Sequence, residues 1–209
     1  KGADTNNRLG PKRMTQSGLI SPSAMEIATY LTFFIAFIIG IILSVYGGWP
    51  IFIIGLLSIF FGILYTAGPF ALAYIGGAEF ISFLFFGPIS VIGTIYLQVF
   101  QIDLFFSKGL YFVLIGACFG FISTGLLVIN NTRDIDTDKL VNKRTFAVRF
   151  GRLFSYIEYL ICVYFPIIIL DFLTYESFVQ YWGLILLILF GFFLSYKFKR
   201  ADSEQFNQL

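Results

Sequence analysis

The sequence predicts an all-α protein, a polytopic bundle of transmembrane helices. Of its 209 residues, 58% are hydrophobic and 12% are charged, whereas a soluble domain is closer to half apolar and a quarter charged. Long apolar segments recur along the chain, and a helix needs about 20 mostly apolar residues to cross a bilayer. Because lipid cannot hydrogen-bond the backbone, helices are the expected form of such segments.

Six segments have the composition of membrane spans. The second is short, and it is joined to the first by the tight turn Gly47-Gly48-Trp49-Pro50, which includes an interfacial tryptophan. The predicted spans are Ile27–Tyr46, Ile51–Tyr65, Phe80–Phe100, Leu110–Ile129, Phe154–Leu173 and Phe178–Tyr196.

The distribution of lysine and arginine predicts the orientation of these spans. With six spans, the N-terminal segment, the turn around Gly76, the Asn130–Leu153 segment and the C-terminal tail fall on one side. That side carries all of the 14 Lys and Arg residues except Lys108. Since basic residues concentrate in cytoplasmic loops, we expect this side to face the cytoplasm.

The composition also excludes several kinds of site. The chain has no histidine, so it has no catalytic histidine and no histidine-ligated metal or haem. Cys118 and Cys162 both lie in apolar runs, which favours buried free thiols over a disulfide framework. The net charge of +2 does not indicate a nucleic-acid partner.

The densest polar stretch is Asn130–Lys139, directly after a predicted span. Asp134 and Asp138 are four residues apart and share one face of a helix, whereas Asp136 points elsewhere. Such paired carboxylates suit Mg²⁺ bound together with substrate phosphates. Neighbouring bases suit phosphate oxygens, namely Arg133, Lys139, Lys143 and Arg144. The pattern favours a lipid diphosphate site over a loop whose charges merely neutralise each other.

Two further polar clusters lie on the same predicted side. Lys1–Ser17 contains Asp4 and Arg13, and by itself it is typical of an ordinary juxtamembrane loop. Tyr65–Glu79 contains a Gly/Pro turn, but Glu79 opens a predicted span, and an acid at a membrane edge is a functional hint. We expect all three clusters to converge on one cavity.

Two motifs carry a resemblance to a known family. The segment NNTRDIDTD at residues 130–138 resembles the second aspartate motif, N-N-x-R-D-x-x-x-D, of the UbiA superfamily of membrane prenyltransferases. Residues 143–151 resemble the K-x-T-x-x-V-R-x-G segment that follows it, with Asn142 where the family has glycine. The most similar branch is that of the 1,4-dihydroxy-2-naphthoate polyprenyltransferases of the menaquinone pathway.

The resemblance extends over most of the chain. Residues 1–18 resemble the tail of the first aspartate motif, and Tyr65, Glu79 and Phe85-Phe86-Gly87 resemble the region joining the two halves of the family fold. It implies one transmembrane prenyltransferase domain over residues 1–209, with about six of about nine helices present. The N-terminal helices, with the paired acids of the first motif, and the last helix would then lie outside it.

This resemblance implies an enzyme that transfers a polyprenyl group from polyprenyl diphosphate to 1,4-dihydroxy-2-naphthoate. CO2 and diphosphate are lost, and demethylmenaquinol is formed. It implies Mg²⁺ as cofactor, an integral protein of the bacterial inner membrane with membrane lipid around it, and no nucleic-acid partner. Asp134 and Asp138 would be catalytic metal ligands, with Asp4 as a further ligand. The substrate-binding residues would be Arg13, Asn130, Arg133, Lys143, Tyr65 and Glu79.

Two kinds of alternative remain open. The acceptor could instead be a hydroxybenzoate, a homogentisate, a chlorophyllide or a glyceryl phosphate lipid, since the aspartates are common to all of these enzymes. A transporter or channel would need polar residues along a path within the spans. The predicted spans carry few ionisable residues, such as Glu158 and Asp171, and the acids gather at one face, which favours an enzyme.

Overall fold

A computed structural model describes residues 14–99, 107–173 and 178–208. These residues form α-helices and one short 3-10 helix at Gln205–Gln208, as the all-α prediction requires. The α-helices are α1 Pro22–Thr66, α2 Leu72–Ile75, α3 Ala78–Phe86, α4 Pro88–Gln98, α5 Gly109–Arg133, α6 Ile135–Leu140, α7 Phe146–Leu173 and α8 Phe178–Arg200.

Within the described residues, five helical stretches are long and apolar enough to cross a membrane. They are α1, α3 with α4, α5, α7, and residues 182–200 of α8. The first of them is broken at Gly48, which has φ 68° and ψ −163°. The Phe33 ring lies 3.4 Å from the position that a Cβ on Gly62 would take, whereas a straight helix would hold these residues about 44 Å apart. Helix α1 is therefore a hairpin of two spans, which gives the six predicted spans.

Helices α3 and α4 cross α5 at three glycines. The helix is interrupted at Gly87. A Cβ added to this residue would lie 2.6 Å from the Gly116 carbonyl oxygen and 2.6 Å from the Gly120 Cα. Small residues spaced four apart allow this kind of close helix approach in membranes. The crossing fixes α3 against the central helix, α5.

Helix α5 also packs along α7, which in turn packs against α8. At one end of these three helices lies a buried cluster that includes residues from each of them, together with the chain that follows α8. Its members are Val128, Ile129, Tyr159, Phe198, Ala201 and Phe206. This cluster packs against the end of α5 at which the polar stretch Asn130–Lys139 begins.

Several predicted boundaries are wrong. Helix α5 continues to Arg133 rather than ending at Ile129, and α7 begins at Phe146, with a break at Gly151, rather than at Phe154. The segment predicted as a loop between these spans is therefore largely helical. Hydropathy marks where the lipid core ends, but a helix continues wherever its backbone hydrogen bonds can continue. Phe100, the predicted end of the third span, lies outside the described residues.

Candidate functional site

The two aspartates singled out in the sequence lie where α5 passes into α6. Asp134 ends α5, and the Asp138 backbone N–H donates to the Asp134 carbonyl oxygen at 2.8 Å. Helical hydrogen bonding thus continues across the junction. The Asp134 and Asp138 side chains are 24% and 11% exposed, whereas that of Asp136 is 89% exposed. The helical spacing of the acids therefore places two of them inward and one towards solvent.

Each inward aspartate is paired with a base. Arg133 donates from Nε and Nη2 to the two carboxylate oxygens of Asp134, at 2.7 and 3.0 Å. Lys143 donates from Nζ to Asp138 Oδ2 at 2.8 Å. Charge-assisted bonds of this length, partly shielded from water, are stronger than ordinary surface pairs. The site therefore contains two carboxylates, and the positive charges of Arg133 and Lys143 balance their negative charges.

A helix C-cap holds Lys143 in place. The Lys143 backbone N–H donates to the Asp138 carbonyl oxygen, and that of Asn142 donates to the Lys139 carbonyl oxygen, at 2.9 and 3.2 Å. Asn142 has φ 54°, and this combination is a Schellman motif, in which glycine or asparagine takes the left-handed position. Asparagine in place of the family's glycine therefore preserves the turn that returns Lys143 to Asp138.

The Tyr65–Glu79 segment contacts the helix that carries this site. Asn131 donates from Nδ2 to Glu79 Oε1 at 2.7 Å, and both side chains are buried. The Arg144 backbone N–H donates to the Tyr74 carbonyl oxygen at 2.8 Å. Within the described part of the chain, the second oxygen of Glu79, Oε2, is buried without a hydrogen-bond partner. A buried acceptor of this kind can receive a donor from a bound molecule.

Two apolar cavities lie between the helices of the bundle. One, of about 560 Å³, lies between α1, α3 and α5, and Tyr65, Ser82 and Phe85 are among its lining residues. The other, of about 420 Å³, lies between α5, α7 and α8, and its lining includes Ile129 and Tyr159. Both have the size of small-molecule pockets. Helix α5, which ends in the polar site, thus also lines space suited to hydrophobic groups.

The structure gathers most of the predicted site residues. Asp134, Asp138, Arg133 and Lys143 form one cluster, and Glu79 reaches it through Asn131. The predicted substrate-binding residue Asn130 is exposed, and its neighbour Asn131 makes the buried contact instead. Asp4 and Arg13 lie outside the described residues.

The sequence interpretation missed Asn131 and Asn207. The sequence contains adjacent asparagines at 130 and 131, but only the burial pattern of α5 shows which of them faces α3. Asn207 accepts a hydrogen bond from Arg133 Nη1 at 2.9 Å. Asn207 follows the last predicted span, in a tail whose sequence indicates only the basic residues that set membrane orientation.

The donor set fits Mg²⁺ bound together with a diphosphate. No group of three or more His, Cys, Asp or Glu side chains comes together within residues 14–99, 107–173 and 178–208. Magnesium nevertheless usually binds through only one or two protein carboxylates, with substrate phosphates and water completing its shell. Asp134 and Asp138, one helical turn apart, could supply those carboxylates.

Comparison with known proteins shows the family. The model of the UbiA prenyltransferase family matches residues 2–208. The chain belongs to this family. The UbiA match spans both polar clusters of the described structure and the helices that carry them, so the site lies within the family's own domain.

Curated relatives of this UbiA chain include proteins named 1,4-dihydroxy-2-naphthoate octaprenyltransferase. Those from Mycobacterium tuberculosis, Haemophilus influenzae and Escherichia coli are 34%, 35% and 33% identical over 151, 162 and 159 residues. The alignments cover 72%, 72% and 73% of this chain, but 49%, 49% and 50% of the relatives. The chain thus spans about half the length of the curated relatives it matches. No solved structure matches it significantly.

Proposed function

We propose that the protein transfers a polyprenyl group from polyprenyl diphosphate to 1,4-dihydroxy-2-naphthoate, with release of diphosphate and CO2, to give demethylmenaquinol. The observation that carries this proposal is the inward-facing aspartate pair, with its two bases, at the end of a membrane helix that also lines two apolar cavities. The similarity to proteins named for this acceptor supports the choice of naphthoate. Other aromatic acceptors are the alternative.

Asp134 and Asp138 are the residues that would hold Mg²⁺ with the diphosphate. A bound magnesium ion supplies Lewis-acid neutralisation of the charge that builds on the leaving diphosphate. The burial of Asp138 keeps its carboxylate oriented, and its hydrogen bond with Lys143 stabilises the charged form before substrate binds. A carboxylate pair held ready in this way loses little conformational entropy on binding.

The two bases have different roles in this proposal. Lys143 holds Asp138 through one ammonium on a flexible stem, so it can turn to a diphosphate oxygen once Asp138 is otherwise engaged. The Arg133 side chain is 6% exposed, and its guanidinium is bound to both Asp134 and Asn207. We therefore assign diphosphate binding to Lys143 and the orientation of Asp134 to Arg133.

Glu79 and the cavity beside Tyr65 suit the aromatic acceptor. Aromatic rings, including those of Phe61 and Phe85, line this cavity. Ser82, which also lines the cavity, lies one helical turn after Glu79 on α3. A naphthoate hydroxyl would supply the donor that Glu79 Oε2 lacks within the described residues. The apolar walls would keep water from the allylic cation formed during transfer.

Prenyl transfer by the full-length protein in membranes tests this proposal. With radiolabelled polyprenyl diphosphate and dihydroxynaphthoate, Asp134→Ala and Asp138→Ala should abolish Mg²⁺-dependent turnover, because each removes a charged metal ligand. Asp136→Ala is the matched control, and its exposed side chain predicts a change of less than about threefold. Equal losses at all three positions would contradict the proposed roles. Prenylation of hydroxybenzoate but not of dihydroxynaphthoate would contradict the acceptor.

A further inference from the structure

The chain that follows α8 is folded against the end of α5 that carries the aspartate pair. Phe206 is 2% exposed and belongs to the same buried cluster as Val128 and Ile129 of α5. Its ring lies edge-on to that of Phe198, with centroids 5.0 Å apart. Residues 201–208, here called the C-terminal segment, thus form part of the packed structure around the site.

Helix α7 provides a second attachment for the C-terminal segment. Arg152 donates to the Ala201 carbonyl oxygen, and its guanidinium lies 5.2 Å from the centre of the Phe206 ring. The Asp202 backbone N–H donates to Gln205 Oε1 at 3.0 Å, which closes the turn leading into the 3-10 helix. These contacts fix the place at which the segment presents Asn207.

Asn207 meets the one guanidinium edge that Asp134 does not use. Arg133 donates from Nη1 to Asn207 Oδ1 at 2.9 Å, while its Nε and Nη2 donate to Asp134 at 2.7 and 3.0 Å. Two parallel bonds to a carboxylate hold it nearly coplanar with the guanidinium. The orientation of the Asp134 carboxylate therefore depends on the orientation of Arg133, and Asn207 is the third point that fixes it.

We propose that Asn207 is a positioning residue of the active site, which sets the Asp134 carboxylate for metal–diphosphate binding through Arg133. The inference rests on the proposed function, because it takes Asp134 to be a ligand. An amide suits this position, since it accepts a hydrogen bond without competing as an anion for Arg133. Partners that bond a metal ligand directly typically change metal affinity by about 10–100-fold when they are removed, and Asn207, which acts through Arg133, should lie at the lower end of that range.

The test uses Asn207→Ala in the full-length protein, with Ser203→Ala as a control in the same segment. Mn²⁺ binding in the presence of inorganic diphosphate, followed by electron paramagnetic resonance, reads the site without turnover. We expect Asn207→Ala to weaken this binding about tenfold and to raise the Mg²⁺ concentration for half-maximal prenyl transfer similarly. The KM of the aromatic acceptor and the unfolding temperature should be unchanged, and Ser203→Ala should match the unaltered protein.

The conservative Asn207→Gln variant separates positioning from packing. It retains a neutral amide oxygen that can accept from Arg133, so it should recover most of the Mn²⁺ affinity that alanine loses. A lower unfolding temperature in Asn207→Ala with unchanged Mn²⁺ binding would overturn the inference, as would absence of Mn²⁺ binding by the unaltered protein. If Mn²⁺ binding responds as expected but dihydroxynaphthoate is not prenylated, the proposed acceptor fails and the positioning role stands.

Discussion

At the scale of single residues, the site depends on polar side chains that lie inside a membrane bundle and are paired there. Spacing in the sequence predicts that Asp134 and Asp138 share a face, and the structure places both inward. The spacing does not predict that Asn131 rather than Asn130 faces Glu79, because the direction of each asparagine depends on α5 continuing to Arg133. Successive helical residues differ by about 100° in direction, so one residue decides which asparagine is buried.

Glu79→Ala should destabilise the protein. The substitution leaves Asn131 Nδ2 buried without its acceptor at 2.7 Å, and an unsatisfied buried group costs about 1–3 kcal/mol. Thermal unfolding in detergent measures this loss. Glu79→Gln keeps an oxygen for Asn131 and should cost less, while Glu204→Ala, at an exposed acid, is the control. Equal losses from Ala and Gln would show that the charge of Glu79, rather than its hydrogen bond, supports the fold.

The contacts of Arg133 also lie beyond what the sequence predicts. Its neighbours in sequence suggest a base that binds diphosphate, but the structure gives it partners on two sides and leaves little of it exposed. One of those partners, Asn207, is far away along the chain. No local pattern links Arg133 to a residue so distant in sequence. The contact between Arg133 and Asn207 forms only when the C-terminal segment packs against α5.

At the scale of helices, hydropathy predicts the number of spans and the first turn correctly, but not the breaks within helices. The turn at Gly48 is marked by adjacent glycines and a proline. The break at Gly87 lies within one continuous apolar run, so hydropathy does not reveal it, although the Gly87-Pro88 pair marks it locally. The break also allows α3 and α4 to approach Gly116 and Gly120 on α5.

Gly120→Ala should disrupt this crossing. A Cβ at this position would lie 2.6 Å from the Phe83 carbonyl oxygen, so the two helices must move apart. Overpacking of this kind costs about 1–3 kcal/mol, whereas an alanine with free space around it should not destabilise a helix. Gly109→Ala, on the same helix with nothing within 4 Å of its added Cβ, is the control. Thermal unfolding of both variants checks this, and equal stability would argue against a tight crossing.

At the scale of the whole molecule, three segments distant in sequence meet at one end of the bundle. The Tyr65–Glu79 segment contacts the aspartate motif through Asn131, and the C-terminal segment contacts it through Arg133. This is the end to which the positions of Lys and Arg assign nearly all the positive charge. Sequence reasoning therefore predicts the gathering of these segments from charge and span number, while the contacts that join them require the fold.

The distribution of Lys and Arg also predicts which side of the membrane each end of the bundle occupies. Asp136 lies at the motif end and Lys108 precedes α5 at the other, and both are exposed. Because α5 is 25 residues long, it rises about 37 Å, enough to cross the hydrocarbon core once. In cells expressing the full-length protein, Lys108→Cys should react with a membrane-impermeant maleimide from outside. Asp136→Cys should react only after permeabilisation, since basic residues mark the cytoplasmic side.

Met14→Cys is the third arm of this experiment, since Met14 is exposed and precedes the first span of the α1 hairpin. An even number of spans lies between it and the aspartate motif, so it should react like Asp136→Cys. The native Cys118 and Cys162 lie within α5 and α7, and replacing both with serine, together with any cysteine elsewhere in the full-length protein, removes background labelling. Reaction of Met14→Cys from outside, with Asp136→Cys still protected, would contradict the even span count. Reaction of Lys108→Cys and Asp136→Cys from the same side would contradict α5 as a membrane span.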